Sequence, residues 1–201
     1  YIAHCFRWSH VAHQLYKGSS YKTARILDVG CGRETPLLNL LYTGKLMPQY
    51  YFGVDYGPID FDLEACSKRD QIDLYENEDA CRCNDLLVAN TDYTFTHAVS
   101  FEVLEHVEPI HAASIVEVMF NKLMKGGVAY ISTPNWNEQD CAANHVNEMK
   151  YEVLGRMFEN VGFEIVNVFG TFASMSDYKD SLTECQKSVY EKLHAYYKTN
   201  V

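Results

Sequence analysis

Short apolar segments typical of buried β-strands alternate along this chain with segments of helical periodicity. Strands are predicted at residues 25–31, 49–56, 81–86, 95–101, 128–133 and 163–170. Helices are predicted through about residue 15 and over 35–47, 61–70, 109–124, 147–162 and 177–198. Because each strand–helix–strand crossover places a helix on one face of the sheet, this alternation predicts a doubly wound, mostly parallel α/β sheet with helices on both faces.

Length and charge limit the class of protein. The chain has 201 residues, enough for one domain with a sizeable core. We expect a single domain over 1–201, with an N-terminal helical cap over 1–24, a cofactor-binding core over 25–170 and a C-terminal helical tail over 171–201. The 17 Lys and Arg against 27 Asp and Glu give a net charge of −10, which argues against nonspecific phosphate binding.

Neither a membrane nor an oxidising compartment is predicted. Apolar runs stay short of the ~20 residues that span a bilayer, and no secretory leader pattern is visible. The seven cysteines are scattered through predicted strands and helices, which is typical of reduced thiols. We therefore expect a soluble, cytoplasmic protein with no membrane partner.

Glycine and acidic residues gather where the predicted strands end, the edge at which ligands bind in such sheets. Gly30 and Gly32 form a turn in which missing side chains let a ligand approach the backbone. Thr35 stands where a dinucleotide fingerprint needs glycine, and no lysine-tipped phosphate loop occurs. Acidic residues at or after strand ends are Asp28, Asp55, Asp85 and Glu102. The pattern favours a nucleoside ligand that carries a cationic group and no phosphates.

In the order of its motifs, the chain resembles the class I S-adenosylmethionine-dependent methyltransferases. The segments that carry the resemblance are ILDVGCG, GVDY, NDL, SFEVLEHV, LMKGGVAYISTPN and GFEIVNV, which together span about residues 25–170. The resemblance implies a Rossmann-like fold and S-adenosylmethionine as the cofactor. Members usually close the sheet with a seventh strand, and no candidate for it is visible here, so we expect it to be missing. An exposed edge would make an oligomer possible.

The resemblance also implies which residues bind the cofactor. It places Gly30 and Gly32 beside the methionine part, with Asp28 near its amino group. Asp55 is expected to hold the ribose hydroxyls. The remaining expected residues line the adenine or the pocket wall, and they are Cys31, Tyr56, Asp85, Leu86, Phe101 and Glu102.

The segment FEVLEHVEP, residues 101–109, places charged groups beside a predicted core. If a helical turn begins at Glu102, then Glu105 and His106 share its face at i+3 and i+4. His145, from a later loop, could join these three as a ligand of a divalent metal such as Mg²⁺. Methyltransferases of small-RNA 3′ ends and of ubiquinone biosynthesis are similar in this segment, which implies a metal that orients vicinal hydroxyls. Many members with this segment bind no metal, and there His106 or His145 could act as a general base.

The expected function is methyl transfer from S-adenosylmethionine to an oxygen or nitrogen acceptor. Net acidity favours a small-molecule acceptor over nucleic acid. Two alternatives remain open: metal-assisted 2′-O-methylation of RNA, and a noncatalytic nucleoside-binding or activator subunit. The N-terminal segment either forms a lid over the cleft or, as its periodicity favours, an amphipathic helix on the sheet.

Overall fold

The computed structural model describes residues 2–17, 20–79, 94–136, 138, 141–170 and 184. Its helices and strands, in chain order, are α1 (Ile2–Lys17), β1 (Arg25–Val29), α2 (Pro36–Thr43), β2 (Tyr50–Val54), β3 (Ile72–Tyr75), β4 (Phe95–Phe101), α3 (Pro109–Lys122), β5 (Leu123–Ser132) and α4 (Tyr151–Val161). The five strands are parallel and lie in the order β3-β2-β1-β4-β5. The predicted doubly wound α/β sheet is confirmed.

The strand order places the ligand crevice. The chain runs outward from β1 through β2 to β3, then returns to the other side of β1 with β4 and β5. The chain therefore continues in opposite directions along the sheet after β1 and after β4, and the carboxyl ends of these two strands border a crevice. The residues that follow β1 and β4 are thus the first candidates for a functional role.

Alternating side chains of β1 build the core on both faces of the sheet. Leu27 and Val29 pack with residues of α3 and α4 on one face. Ile26 packs on the other face with α1 and α2, where Val11 and Leu15 of α1 are fully buried. The amphipathic α1 therefore covers the sheet, as its periodicity predicted.

One predicted helix is wrong. Residues 61–70 form turns that lead into a 3₁₀ turn at Arg69–Gln71, not an α-helix. The Asp62 side chain accepts a hydrogen bond from the Ala65 N–H at 2.9 Å, a local bond that competes with helix formation.

Two other predicted elements lie outside the described residues. The strand predicted at 81–86 is one of them, and the strand that pairs with β2 is instead Ile72–Tyr75, which was not predicted. The predicted C-terminal helix over 177–198 and the tail over 171–201 also fall almost entirely outside the described residues.

The segment predicted as a sixth strand has no strand structure. Residues 163–170 are irregular, and several of their apolar side chains, including Val166 and Val168, are exposed. Among the described strands, β5 pairs only with β4, so the strand predicted at 163–170 from its apolar pattern is wrong. Within the described part of the chain, no helix is long and apolar enough to cross a membrane.

Candidate cofactor and cation site

The turn after β1 brings bare backbone to the crevice. Gly30 and Gly32 have φ of 73° and 77°, a left-handed backbone that glycine adopts without strain. Val54 O of the neighbouring strand accepts hydrogen bonds from the N–H groups of Gly30 and Cys31 at 2.8 and 3.1 Å. A Cβ on Gly30 would lie 2.2 Å from Cγ2 of Val103, in the loop after β4. Glycine is thus required where the two crevice loops touch.

Asp55, just after β2, ties the glycine turn to the next loop. Its Oδ2 accepts a hydrogen bond from Gly32 N–H and its Oδ1 from Gly57 N–H, each at 2.8 Å. Each oxygen keeps further lone pairs that can accept from a ligand hydroxyl. Tyr56, beside it, is 83% exposed, so its ring is available as a surface on which a planar group can stack.

Asp28 lies beneath the turn and is almost fully buried. Its Oδ2 accepts a hydrogen bond from the Tyr51 hydroxyl. Burial raises the pKa of Asp28 to about 7, partly opposed by the Tyr51 hydrogen bond. Burial also raises the pKa of Tyr51 well above its usual range, so its hydroxyl stays protonated and donates. A buried carboxyl–phenol pair therefore lies two residues before the first glycine of the turn.

The other residues predicted to bind the cofactor divide into two groups. Cys31 is buried and Phe101 is half-buried at the end of β4. Asp85 and Leu86 lie outside the described residues.

The loop after β4 does not continue as one helical turn. Glu102 has a φ of 58°, and only Leu104–His106 form a 3₁₀ turn. The left-handed backbone at Glu102 prevents a helical turn from beginning there. Glu102 therefore does not share a helical face with Glu105 and His106, and that prediction is wrong. Oε1 of Glu102 instead lies 3.0 Å from Nη1 of Arg7, and the Ser132 hydroxyl donates to the same oxygen at 3.0 Å.

Glu105 is tied to the loop that carries His145. Its carbonyl oxygen accepts hydrogen bonds from the N–H groups of Val146 and Asn147 at 2.8 and 3.0 Å. The Asn147 side chain donates in turn to Leu104 O at 3.1 Å. These bonds bring His145 beside His106, with ring centroids 4.7 Å apart.

Hydrogen bonds indicate which nitrogen of each ring carries a proton. Nδ1 of His106 lies 3.0 Å from the Asn144 carbonyl oxygen, which can only accept; the contact to Nδ2 of Asn144 is longer, at 3.4 Å. Nδ1 of His145 contacts the Glu148 carboxylate. Both rings, when neutral, therefore carry the proton on Nδ1 and leave a lone pair on Nε2.

Glu105, His106 and His145 form a cluster whose ligand atoms all lie within 4.8 Å of one another. Thr133 donates to Oε2 of Glu105 at 3.1 Å, but the buried Oε1 has no hydrogen-bond partner. That oxygen lies 3.9 Å from Nε2 of His106. When His106 is neutral, two lone-pair acceptors thus face each other, the one on Glu105 buried and the one on His106 exposed, an arrangement that a divalent cation would satisfy. Burial raises the pKa of Glu105, with a smaller contribution from the charge of Glu102.

Several residues of the site have no signal in the sequence. Arg7 and Tyr51 contact the expected residues from distant elements, and Glu148 contacts His145 from three positions along the same loop. Ser132 and Thr133 could have been found, because Ser132 ends β5 and Thr133 follows it, at the same edge as the other strand ends.

Comparison with known proteins defines the class. A family model described as a methyltransferase domain matches residues 11–168, and the chain belongs to this family. Its fold is that of the class I S-adenosylmethionine-dependent methyltransferases, as the motifs predicted, and S-adenosylmethionine is the cofactor of that class. No curated protein sequence matches the chain significantly.

Solved structures with the same fold are distant in sequence. Magnesium protoporphyrin IX methyltransferase from Synechocystis PCC 6803, with bound S-adenosylmethionine, is 13% identical, with a TM-score of 0.60 over 86% of this chain and 75% of the other. The methyltransferase domain of bacterial CtHen1 is 20% identical, with a TM-score of 0.54 over 79% and 85%. The small RNA methyltransferase HEN1 is 17% identical, with a TM-score of 0.56 over 78% and 21%.

Proposed function

We propose that the protein transfers a methyl group from S-adenosylmethionine to a hydroxyl oxygen of a small molecule, beside a divalent cation held by Glu105, His106 and His145. The observation that carries this proposal is the buried Oε1 of Glu105, which has no hydrogen-bond partner and lies 3.9 Å from an imidazole nitrogen. A structural carboxylate would be paired at such a position. Two acceptors that face each other need a cation or a shared proton between them.

The cluster fits a divalent cation by its donor chemistry. One carboxylate and two imidazoles suit Mn²⁺, Fe²⁺, Co²⁺ or Zn²⁺ better than Mg²⁺, which prefers oxygen ligands and near-octahedral geometry. Three protein ligands leave coordination positions open, as a metal that assists catalysis requires. A bound divalent cation would lower the pKa of an acceptor hydroxyl and hold its oxygen in place.

The chain's own residues position the cofactor and the cluster. Asp55 and the backbone of Gly32 present acceptors and a bare surface to the adenosyl group. Asp28 lies below the methionine end. Across the crevice lie Glu105 and His106, which follow β4, and His145, in the loop after β5. Methyl transfer from a sulfonium is an in-line displacement with a good leaving group, so orientation of donor and acceptor supplies much of the rate.

A second candidate acceptor is the 3′-terminal ribose of RNA. Its vicinal hydroxyls present the same chelating chemistry as a small diol, and a small RNA methyltransferase shares this fold. The net charge of −10 favours the small molecule, because binding to an RNA backbone is assisted by a basic surface.

The test is a methyl-transfer screen with labelled S-adenosylmethionine over catechols, other diols, amines, nucleosides and RNA, with Mn²⁺ or with a chelator. We expect transfer to a diol that requires Mn²⁺ and is lost in Glu105→Gln, whereas Glu117→Gln, an exposed change on α3, is unaffected. Calorimetry should show at least tenfold weaker Mn²⁺ binding by Glu105→Gln. Transfer that survives both the chelator and Glu105→Gln, or transfer to amines alone, would contradict the proposal.

A further inference from the structure

Arg7 links the N-terminal helix to the loop after β4. Its Nη1 lies 3.0 Å from Oε1 of Glu102, and the side chains are only 14% and 25% exposed. Exposed ion pairs contribute little because water and salt screen them. This pair is largely shielded, so it fixes the direction of the Glu102 side chain relative to α1.

Glu102 is held in place by two further features. Its φ of 58° lies in the left-handed region, which is strained for a residue with a Cβ. Its Oε1 also accepts a hydrogen bond from the Ser132 hydroxyl at 3.0 Å. Backbone strain of this kind persists where surrounding contacts impose it, and it is found often at functional sites.

The Glu102 carboxylate lies next to the cation cluster without joining it. The Ser132 hydroxyl donates a hydrogen bond to the Glu102 carboxylate at 3.0 Å, and the adjacent Thr133 hydroxyl donates to the Glu105 carboxylate at 3.1 Å. Among the described residues, the cluster whose ligand atoms lie within 4.8 Å of one another includes Glu105 and not Glu102. Glu102 is therefore a second carboxylate at the edge of the cluster, directed toward Arg7.

We infer that Arg7 is a positioning residue that holds Glu102 away from the cation cluster of Glu105, His106 and His145. Because Arg7 lies on α1, this helix limits the number of protein ligands to three. The inference rests on the proposed function, because it presupposes a cation at that cluster. Without the guanidinium, Glu102 would lose its ion-pair partner, and a cation at the neighbouring cluster would attract its carboxylate. A second carboxylate would bind the cation more tightly and would occupy a position that an acceptor needs.

The test measures Mn²⁺ binding by calorimetry at about 0.15 M salt, where long-range charge effects are screened. The variants are Arg7→Gln, Glu102→Gln and the double variant. We expect Arg7→Gln to bind Mn²⁺ about tenfold more tightly than wild type, because one more anionic ligand becomes available. In the Glu102→Gln background the same change should have no effect. Arg69→Gln, which removes an exposed arginine paired with Asp70, should match wild type.

Each outcome decides between explanations. An equal gain in Mn²⁺ affinity from Arg7→Gln in both backgrounds would show that only repulsion between the Arg7 charge and the cation was removed, and it would overturn the inference. An Mn²⁺ affinity that Arg7→Gln leaves unchanged would also overturn it. If Mn²⁺ binds neither wild type nor Arg7→Gln, both this inference and the proposed cation site fail. If Arg7→Gln does not fold, Arg7→Met keeps the length of the side chain without its charge, and it should also tighten Mn²⁺ binding; no change there would overturn the inference.

Discussion

The loops after β1 and β4 border the same crevice, but their polar groups are satisfied to different degrees. After β1, the N–H groups of Gly30, Cys31 and Gly32 all donate to acceptors of the β2 region, and Asp28 is paired with Tyr51. After β4, the buried Oε1 of Glu105 has no partner. The polar groups of the β1 side are thus paired within the protein, whereas the β4 side holds a buried carboxylate oxygen without a hydrogen-bond partner.

This contrast predicts different consequences of mutation on the two sides. Because the β1 side is internally bonded, substitutions there should alter the free energy of unfolding of the ligand-free protein. Because the β4 side contains an unsatisfied carboxylate, substitutions there should alter cation affinity first.

The largest effect is expected at Gly30, where the two sides touch. Gly30→Ala places a Cβ 2.2 Å from Cγ2 of Val103, whose β-branched side chain has little freedom to move, and puts alanine at a φ of 73°. We expect a loss of about 4 kcal/mol in the free energy of unfolding, measured by urea denaturation.

Gly155→Ala is the matched control for Gly30→Ala. Gly155 lies inside α4, and a Cβ added there would meet no other atom within 4 Å, so alanine should stabilise the protein by about 1 kcal/mol. A small loss at Gly30 would mean that the two loops separate easily.

The next effect concerns the pH dependence of stability. The pKa of Asp28 is raised from 3.8 to about 7 in the folded state, so the folded protein binds more protons than the unfolded chain between these values. Its contribution to stability is present at low pH and is lost as pH rises through 7. Between pH 5 and 8, the unfolding free energy of the wild type should fall by about 3 kcal/mol more than that of Asp28→Asn. Identical slopes for Asp28→Asn and wild type would contradict the buried-carboxyl account of the β1 side.

On the β4 side, Glu148→Gln tests the orientation of His145. The carboxylate accepts from Nδ1 of His145 and so directs the lone pair to Nε2. An amide accepts more weakly and can donate instead, so we expect about tenfold weaker Mn²⁺ binding by calorimetry. Thermal unfolding without metal should change little. Glu159→Gln, an exposed change on α4, is the control and should match wild type in both measurements.

The smallest effect is expected from Tyr51→Phe. Loss of the phenol removes the hydrogen-bond donor to Asp28, which should cost about 1 kcal/mol and raise the pKa of Asp28 further. Tyr50→Phe removes the hydroxyl that donates to Asp73 at a partly exposed position, and it should lower the free energy of unfolding by less. Equal losses for the two variants would show that burial does not distinguish these pairs.

Much of the β1 side was predictable from local patterns. The apolar strand, the glycine turn and Asp55 are adjacent features of known geometry, and they were expected in the arrangement that the structure has. The third strand was not, because residues 72–75 are too short and too polar to stand out, and only pairing with β2 defines them. Residues 163–170 show the reverse error, since strand-like composition did not produce a strand.

The order of apolar segments and the glycine turn determine the α/β class by themselves, because these features depend on near neighbours in the chain. The ordered motifs carry the resemblance to the methyltransferase family. Only the tertiary structure decided the pairing of Asp28 with Tyr51, the meeting of Glu105 with His145, and the direction of Glu102 toward Arg7. These contacts join distant elements and a left-handed backbone position, so their geometry follows from packing and not from sequence spacing.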